Sequence, residues 1–92
     1  LPKIFLSKER GRRLDMIRVI NSIFELGFFV DENGRKSNKK GVFTVFGHAM
    51  NVDFSNYSHD LSSSLTDSTS MNKHLKIFED MLDMMKKIFN LA

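Results

Sequence analysis

The chain contains no cysteine, no tryptophan and a single proline among its 92 residues. Without cysteine it can form neither a disulfide framework nor a cysteine-based metal site, and it has no thiolate nucleophile. One proline and five glycines are too few for a disordered chain, and the 41% hydrophobic and 27% charged residues are ordinary for a globular protein. We therefore expect a folded domain, and the lack of cysteine fits a reducing, cytoplasmic compartment.

Long apolar runs are also missing. None reaches the roughly 20 residues that a transmembrane helix needs, and no signal-peptide core is visible, so we expect no membrane partner. A length of 92 residues suits one domain, and we expect residues 1–92 to form a single helical domain. Because the first residue is not Met, we expect the chain to be the C-terminal part of a longer protein.

Lys and Arg are absent between Gly41 and Asn72, although the formal net charge is +3. Ten of the 14 Lys and Arg residues lie in two groups before Gly41. The N-terminal basic group comprises Lys3, Lys8, Arg10, Arg12, Arg13 and Arg18, and the basic cluster comprises Arg35, Lys36, Lys39 and Lys40. Such a distribution is typical of a phosphate-binding surface, and it also occurs as an ordinary solvated face.

Apolar residues at three- and four-residue steps predict a first helix over Ser7 to Leu26. Gly27 follows it, where a left-handed C-cap favours glycine. The apolar run "FFV" at 28–30 predicts a short buried extended segment. The polar "DENGRKSN", with its Asn33-Gly34 pair, predicts a turn.

Two further helices are predicted around the stretch "HAMNVDFSNY", residues 48–57. The second helix begins after Ser37 or Asn38 and ends at Asn51. Its apolar face comprises Val42, Phe43, Phe46 and Met50. The third helix follows Ser55 or Asn56, and its expected buried residues are Tyr57, Leu61 and Leu65.

The last helix is predicted to begin after Ser70. Its apolar residues alternate four and three apart: Met71, Leu75, Phe78, Leu82, Met85 and Phe89. Four more widen this face: Ile77, Met81, Met84 and Ile88. So wide a face needs packing partners, either the rest of the domain or a second protomer, and we expect mainly the former. The fold class predicted is an all-α compact bundle of about four helices.

No pattern in the sequence indicates catalysis or metal binding. His48, Asp53 and His59 are spaced by five and six residues, which does not place two ligands on one helical face. His74 is expected to be a solvated imidazole on the last helix. We interpret the segment 51–56 as a structural joint, with Val52 and Phe54 in the core and polar side chains satisfying helix ends.

The other polar groups in the sequence also show no pattern of a catalytic or nucleotide-binding site. The serines at 62–64 have no neighbour that identifies an activated nucleophile. Glu79, Asp80 and Asp83 are interleaved with apolar residues, as on the outer face of an amphipathic helix. Gly34 and Gly41 fit neither common nucleotide-binding motif. We therefore predict no enzyme activity, no catalytic residue, no metal site and no cofactor.

Read with its flanks, "FELGFFVDENGRKSNKKGVFTVFGHAMNVDFSNYSHDL" resembles the C-terminal domain of RteC-type proteins, bacterial regulators associated with conjugative transposons. The residues that carry the resemblance are Gly27, Phe28, Phe46, Asn51, Val52, Asp53, Phe54 and Tyr57, with Lys73, His74 and Leu75 as a further match. Two family features are absent. "KERGRR" stands where the family has a Trp and a Ser-Lys pair, and "TDSTSM" replaces a basic stretch before the last helix.

The resemblance implies a helix-turn-helix or winged-helix-like domain that binds double-stranded DNA in transcription regulation. Phosphate contacts would come from the basic cluster and from Arg10, Arg12 and Arg13. If the second helix enters a groove, Asn38 and Thr44 offer contacts to base edges. The alternative is a helical protein-interaction or dimerisation module that acts through the Met-rich last helix, whose thioethers suit a partner groove.

Overall fold

The computed structural model describes residues 1–63 and 68–91, which form four α-helices. They are α1 (Arg12–Glu25), α2 (Lys39–Met50), α3 (Tyr57–Ser63) and α4 (Ser68–Leu91). The described residues contain no β-strand, and a single antiparallel bridge joins Val30 to Lys36. The predicted all-α class with four helices is confirmed.

Helix α1 begins at Arg12 and not at the predicted Ser7. Gly11 has φ 89°, a left-handed conformation that interrupts a helix and that glycine adopts without strain. The preceding residues run instead along the C-terminal end of α2. The Leu6 N–H donates to the Met50 carbonyl (3.2 Å), and the Asn51 amide Nδ2 donates to the Ile4 carbonyl (3.0 Å). The N-terminal segment is thereby tied to the joint at 51–56.

The connection from α1 to α2 is a surface turn. Gly27 and Gly34 have φ 83° and 79°, as the sequence predicts for a C-cap and a tight turn. The prediction that 28–30 is buried is wrong, because Phe28 and Val30 are 69% and 59% exposed. The single bridge at Val30 leaves this segment on the surface, and only the Phe29 ring reaches inward, 5.4 Å from the ring of Phe46.

Both ends of α2 follow the sequence rules. The Asn38 Oδ1 accepts a hydrogen bond from the Gly41 N–H (3.1 Å), so Asn38 and not Ser37 is the N-cap. Asn51 closes the helix in a left-handed conformation, φ 55°. The predicted apolar face is confirmed, with Val42, Phe43 and Met50 buried and Phe46 packed against them.

The core lies between α1, α2 and the joint. Its buried residues are Ile17, Ile20, Phe24, Val42, Phe43, Met50 and Phe54. The rings of Phe43 and Tyr57 stack at 4.3 Å and bring α3 onto this core. Helix α1 contacts α2, α3 and α4 and is therefore the central element. Tyr57 and Leu61, which the sequence predicts to be buried, are half-buried and pack against the core, whereas Leu65 lies outside the described residues.

Helix α4 begins at Ser68, so Ser70 is within the helix and is not its cap. The expectation that its apolar face packs inside the domain is wrong for most of its length. His74, Ile77 and Phe78 are half-buried, but every residue from 79 to 90 is exposed. A helix of 24 residues is about 36 Å long, whereas the 14 residues of α1 span about 21 Å. The second half of α4 therefore extends beyond the helix against which its first half packs.

Candidate functional site

The exposed half of α4 carries large apolar side chains on successive turns. We call these residues the α4 stripe: Met81, Leu82, Met84, Met85, Ile88 and Phe89. Their exposed fractions run from 49% for Met81 to 81% for Phe89. The stripe is therefore an apolar surface that the fold leaves in water.

Charged residues occupy the opposite side of this half-helix. They are Lys76, Glu79, Asp80, Asp83, Lys86 and Lys87. The Lys76 ammonium contacts the Asp80 carboxylate at 2.7 Å, one turn further along the helix. This hydrogen bond and the nearby acidic charges raise the pKa of Lys76. The prediction that the acidic residues form a solvated outer face is confirmed by their exposure.

The first half of α4 is attached to α1. An Nη1 of Arg18 donates to the Lys73 carbonyl (3.4 Å). His74 is half-buried here, and its Nδ1 is buried without a hydrogen-bond partner among the described residues. Burial, with a smaller contribution from the Arg18 charge, lowers the pKa of His74. The expectation of a solvated imidazole is therefore wrong.

The basic cluster surrounds the N-terminus of α2. Lys39 is partly buried, and its ammonium contacts Glu25 at 2.9 Å, which lowers the pKa of that carboxyl through the hydrogen bond and the opposite charge. Both Lys36 and Lys39 place their ammonium groups over the Phe24 ring, 4.8 and 5.3 Å from its centroid. Arg35, Lys36 and Lys40 are exposed, and none has a carboxylate partner among the described residues.

The two polar residues expected to reach base edges are engaged within α2. The Asn38 side chain caps the helix through its Oδ1. The Thr44 hydroxyl is exposed and donates to the Lys40 carbonyl at 2.8 Å. These hydrogen bonds hold both side chains against their own helix, so the exposed cations are the free part of this surface.

The arginines of the N-terminal basic group are mostly paired. Arg12 contacts Glu9 at 3.2 Å and Asp15 at 3.5 Å. Arg13 donates to the Asp60 carboxylate (2.8 Å) and, through Nε and Nη2, to the Asp53 carbonyl (3.3 and 3.1 Å). Arg10 is exposed and has no ion pair among the described residues.

The two groups of cations do not meet. Arg13 lies beside Asp53, just past the C-terminus of α2, whereas Lys39 is its first residue. The 12 residues of α2 separate the two ends by about 17 Å. Each group is therefore a separate surface, at opposite ends of one helix.

The joint at 51–56 has the structure that its sequence predicts. Phe54 is 3% exposed, and Val52 packs against the core. The Asp53 Oδ1 accepts from the Ser55 N–H (2.8 Å), and hydrogen bonds from Ser55 lower the pKa of this carboxyl. Asn51, which closes α2 and donates to the Ile4 carbonyl, and Asp53, which accepts from Ser55, both have a local structural use, and this confirms the joint.

A groove that the sequence did not indicate lies between α2 and the joint. It has a volume of about 640 Å³, and its polar lining includes Lys40, Thr44, His48, Asp53 and Ser58. Lys40, Thr44 and His48 follow at four-residue steps on one face of α2, but their position beside Asp53 and Ser58 depends on how the joint and α3 pack against that helix. Within 1–63 and 68–91, no group of three His, Asp or Glu side chains is placed to hold a metal ion.

In the part of the chain that the structure describes, no helix has both the length and the apolar character required to span a bilayer. No protein-family model matches this chain, and neither a curated protein nor a solved structure matches it.

Proposed function

We propose that this chain is a helical association module that binds another helix through the α4 stripe. The observation that carries the proposal is the exposure of six large apolar residues on the half of α4 that extends past α1. Contiguous apolar surface of this kind, bordered by charges, is typical of interaction sites.

Helix energetics support the same conclusion. A helix of about 12 residues without tertiary contacts is marginal in water, because nucleation is costly and packing supplies most of the stability. The segment 79–90 has no such contacts within the described residues. Packing against another helix supplies them, and the flexible Met81, Met84 and Met85 thioethers can fit an irregular helix surface.

The test separates an association surface from a part of the core. A variant with Leu82→Gln, Met85→Gln and Phe89→Gln should change the free energy of unfolding at micromolar protein by less than about 0.5 kcal/mol, since no buried contact is removed. The matched control is Met50→Gln, the same exchange at an 8% exposed position, which should cost about 2–4 kcal/mol.

Unfolding is followed by circular dichroism in urea. A probe that fluoresces on apolar surfaces should bind the parent chain and lose that binding in the triple variant. A triple variant destabilised as strongly as Met50→Gln would mean that the stripe packs onto the chain's own core, and the proposal would fail.

A second function, binding to the phosphates of double-stranded DNA, is supported by the basic cluster. Three exposed cations, Arg35, Lys36 and Lys40, lie at the N-terminus of α2 without carboxylate partners among the described residues. Helix N-termini and unpaired cations together favour phosphate. The resemblance to RteC-type regulators supports the same role.

This second function is tested by fluorescence anisotropy of labelled duplex DNA across a salt series. Changing Arg35, Lys36 and Lys40 to Ala should weaken binding and flatten the salt dependence, by about 0.9 in logarithmic slope for each phosphate that the variant no longer neutralises. The control changes Lys3, Lys73 and Lys76 to Ala, which removes the same charge from scattered exposed positions. Equal weakening in both variants would mean that only net charge matters, and binding at this surface would be rejected.

A further inference from the structure

The exposed half of α4 has an internal symmetry in its sequence. Read outward from Asp83, apolar and polar positions follow the same order in both directions from 76 to 90. Met81 corresponds to Met85, Leu82 to Met84, Phe78 to Ile88 and Ile77 to Phe89. When the direction of the helix is reversed about Asp83, apolar positions therefore fall on apolar positions.

The charges invert under the same operation. Glu79 and Asp80 precede Asp83, and Lys86 and Lys87 follow it. Reversing the helix therefore places acidic positions on basic ones. Glu79 and Lys86 are seven residues apart, two turns along the same edge of the helix. Asp80 and Lys87 have the same spacing, one position further round the helix.

We propose that the occupant of the α4 stripe is a second copy of this chain, bound antiparallel with its two-fold axis near Asp83. This proposal rests on the proposed association function and names its partner. In a two-fold antiparallel pair of helices, equivalent edges face each other. Glu79 of each copy then lies beside Lys86 of the other, and the arrangement makes this contact twice.

The parallel alternative has no such complement. In a parallel pair, the edge that carries Glu79 and Lys86 faces the opposite edge of the second helix, which carries the apolar Met81 and Ile88, so neither charge meets a charged partner. Neither Glu79 nor Lys86 has an ion-pair partner among the described residues of its own chain. The antiparallel pair uses both charges and covers the stripe residues of both copies at once.

The first experiment measures the dissociation constant by sedimentation equilibrium. Glu79→Lys and Lys86→Glu should each weaken the dimer about three- to tenfold, because each brings like charges together twice. The double variant, with Glu79→Lys and Lys86→Glu, should regain most of the parent affinity. Asp83→Lys is the control for Glu79→Lys. It changes the charge by the same amount, but on the side of the helix away from the stripe.

The second experiment determines helix direction. Because the chain has no cysteine, Asn72→Cys or Asn90→Cys accepts a single spin label at an exposed position. An antiparallel pair centred at Asp83 separates the two labels along the helix axis by about 33 Å at position 72 and about 21 Å at position 90. A parallel pair would place both near the interhelical distance of about 10 Å.

The outcomes distinguish this inference from the function on which it rests. A chain that remains monomeric up to about 1 mM overturns self-association. The antiparallel pairing is overturned if the label distances are short at both positions. It is also overturned if the charge-swapped double variant dimerises no more tightly than the single variants. The association function itself is judged by the stability and probe binding of the glutamine variants, measured at protein concentrations below the dissociation constant, where each chain is a monomer.

Discussion

Gly47 and Gly41 are six residues apart in α2 but have opposite surroundings. A Cβ on Gly47 would lie 2.7 Å from the Val52 carbonyl oxygen, whereas a Cβ on Gly41 meets nothing within 4 Å. The Val52 N–H donates to the Gly47 carbonyl (2.9 Å), so the joint folds back directly onto this glycine. The small residue at 47 is what allows this close approach.

We predict that Gly47→Ala destabilises the chain by about 1–3 kcal/mol, because the backbone must shift and the cost of that shift exceeds the gain in helix propensity. Gly41→Ala should stabilise it by up to about 1 kcal/mol, since the same gain comes without a clash. Urea unfolding of the two variants measures both values. Equal effects of the two substitutions would contradict the close approach at Gly47.

Arg12 and Arg13 are neighbours with different partners. Arg12 pairs locally, with Glu9 and Asp15 three residues to either side of it, whereas Arg13 connects α1 to Asp60 on α3 and to the Asp53 carbonyl in the joint. An exposed local ion pair contributes little, but removal of Arg13 takes a charged donor away from a half-buried carboxylate and from a backbone carbonyl.

We predict that Arg13→Ala costs about 2 kcal/mol of unfolding free energy and that Arg12→Ala changes it by less than about 0.5 kcal/mol. Arg13→Lys should recover only part of that stability, since an ammonium cannot reproduce the guanidinium fork. Thermal or urea unfolding monitored by far-ultraviolet circular dichroism measures the three variants. A cost for Arg12→Ala as large as that for Arg13→Ala would disprove the linking role.

At the scale of elements, the sequence predicts helix ends well where they depend on neighbouring residues. The glycine after α1, the Asn38 cap and the left-handed Asn51 all depend on neighbouring backbone atoms, and all three are found. The predicted start of α1 is too early, at Ser7 in place of Arg12, because apolar spacing does not report the left-handed Gly11.

Packing is harder to predict than helix formation. The apolar spacing of α4 correctly predicts a helix with one apolar face, but it does not say what covers that face. Which part of that face is covered depends on where α1 ends relative to α4, and this is a property of the tertiary structure. The groove beside α2 and the separation of the two basic groups are not predictable for the same reason, since each combines distant segments.

His74 reports on the attachment of α4 to α1. Burial lowers its pKa below the usual value of 6.5, so around and below that value the unfolded chain binds more protons than the folded chain. The free energy of unfolding should therefore fall as pH decreases from about 7.5 to about 5, and the contribution is fully present only above the unfolded pKa. His74→Gln should remove this part of the pH dependence.

Urea unfolding over that pH range measures the effect. If His74→Gln retains the parent pH dependence, the imidazole does not lose solvation on folding and α4 is not held against α1 at this residue.

For the whole molecule, the distribution of buried residues divides the chain into a body and an extension. The seven core residues found in the described part of the chain lie between Ile17 and Phe54, and none of the α4 side chains described there is among them. The half-buried His74, Ile77 and Phe78 complete the contact of α4 with α1. The body should therefore fold without the half of α4 that carries the stripe.

We predict that a chain ending at Phe78 keeps its helical body, with an unfolding free energy within about 1 kcal/mol of the parent monomer, because residues 79–90 are all exposed. It should also be monomeric at concentrations where the parent chain associates. Circular dichroism and sedimentation equilibrium measure the two properties. Binding to duplex DNA provides a third comparison, because the truncated chain retains the basic cluster. Loss of folding on truncation would show that residues 79–92 stabilise the monomer itself, and the division into body and extension would then be wrong.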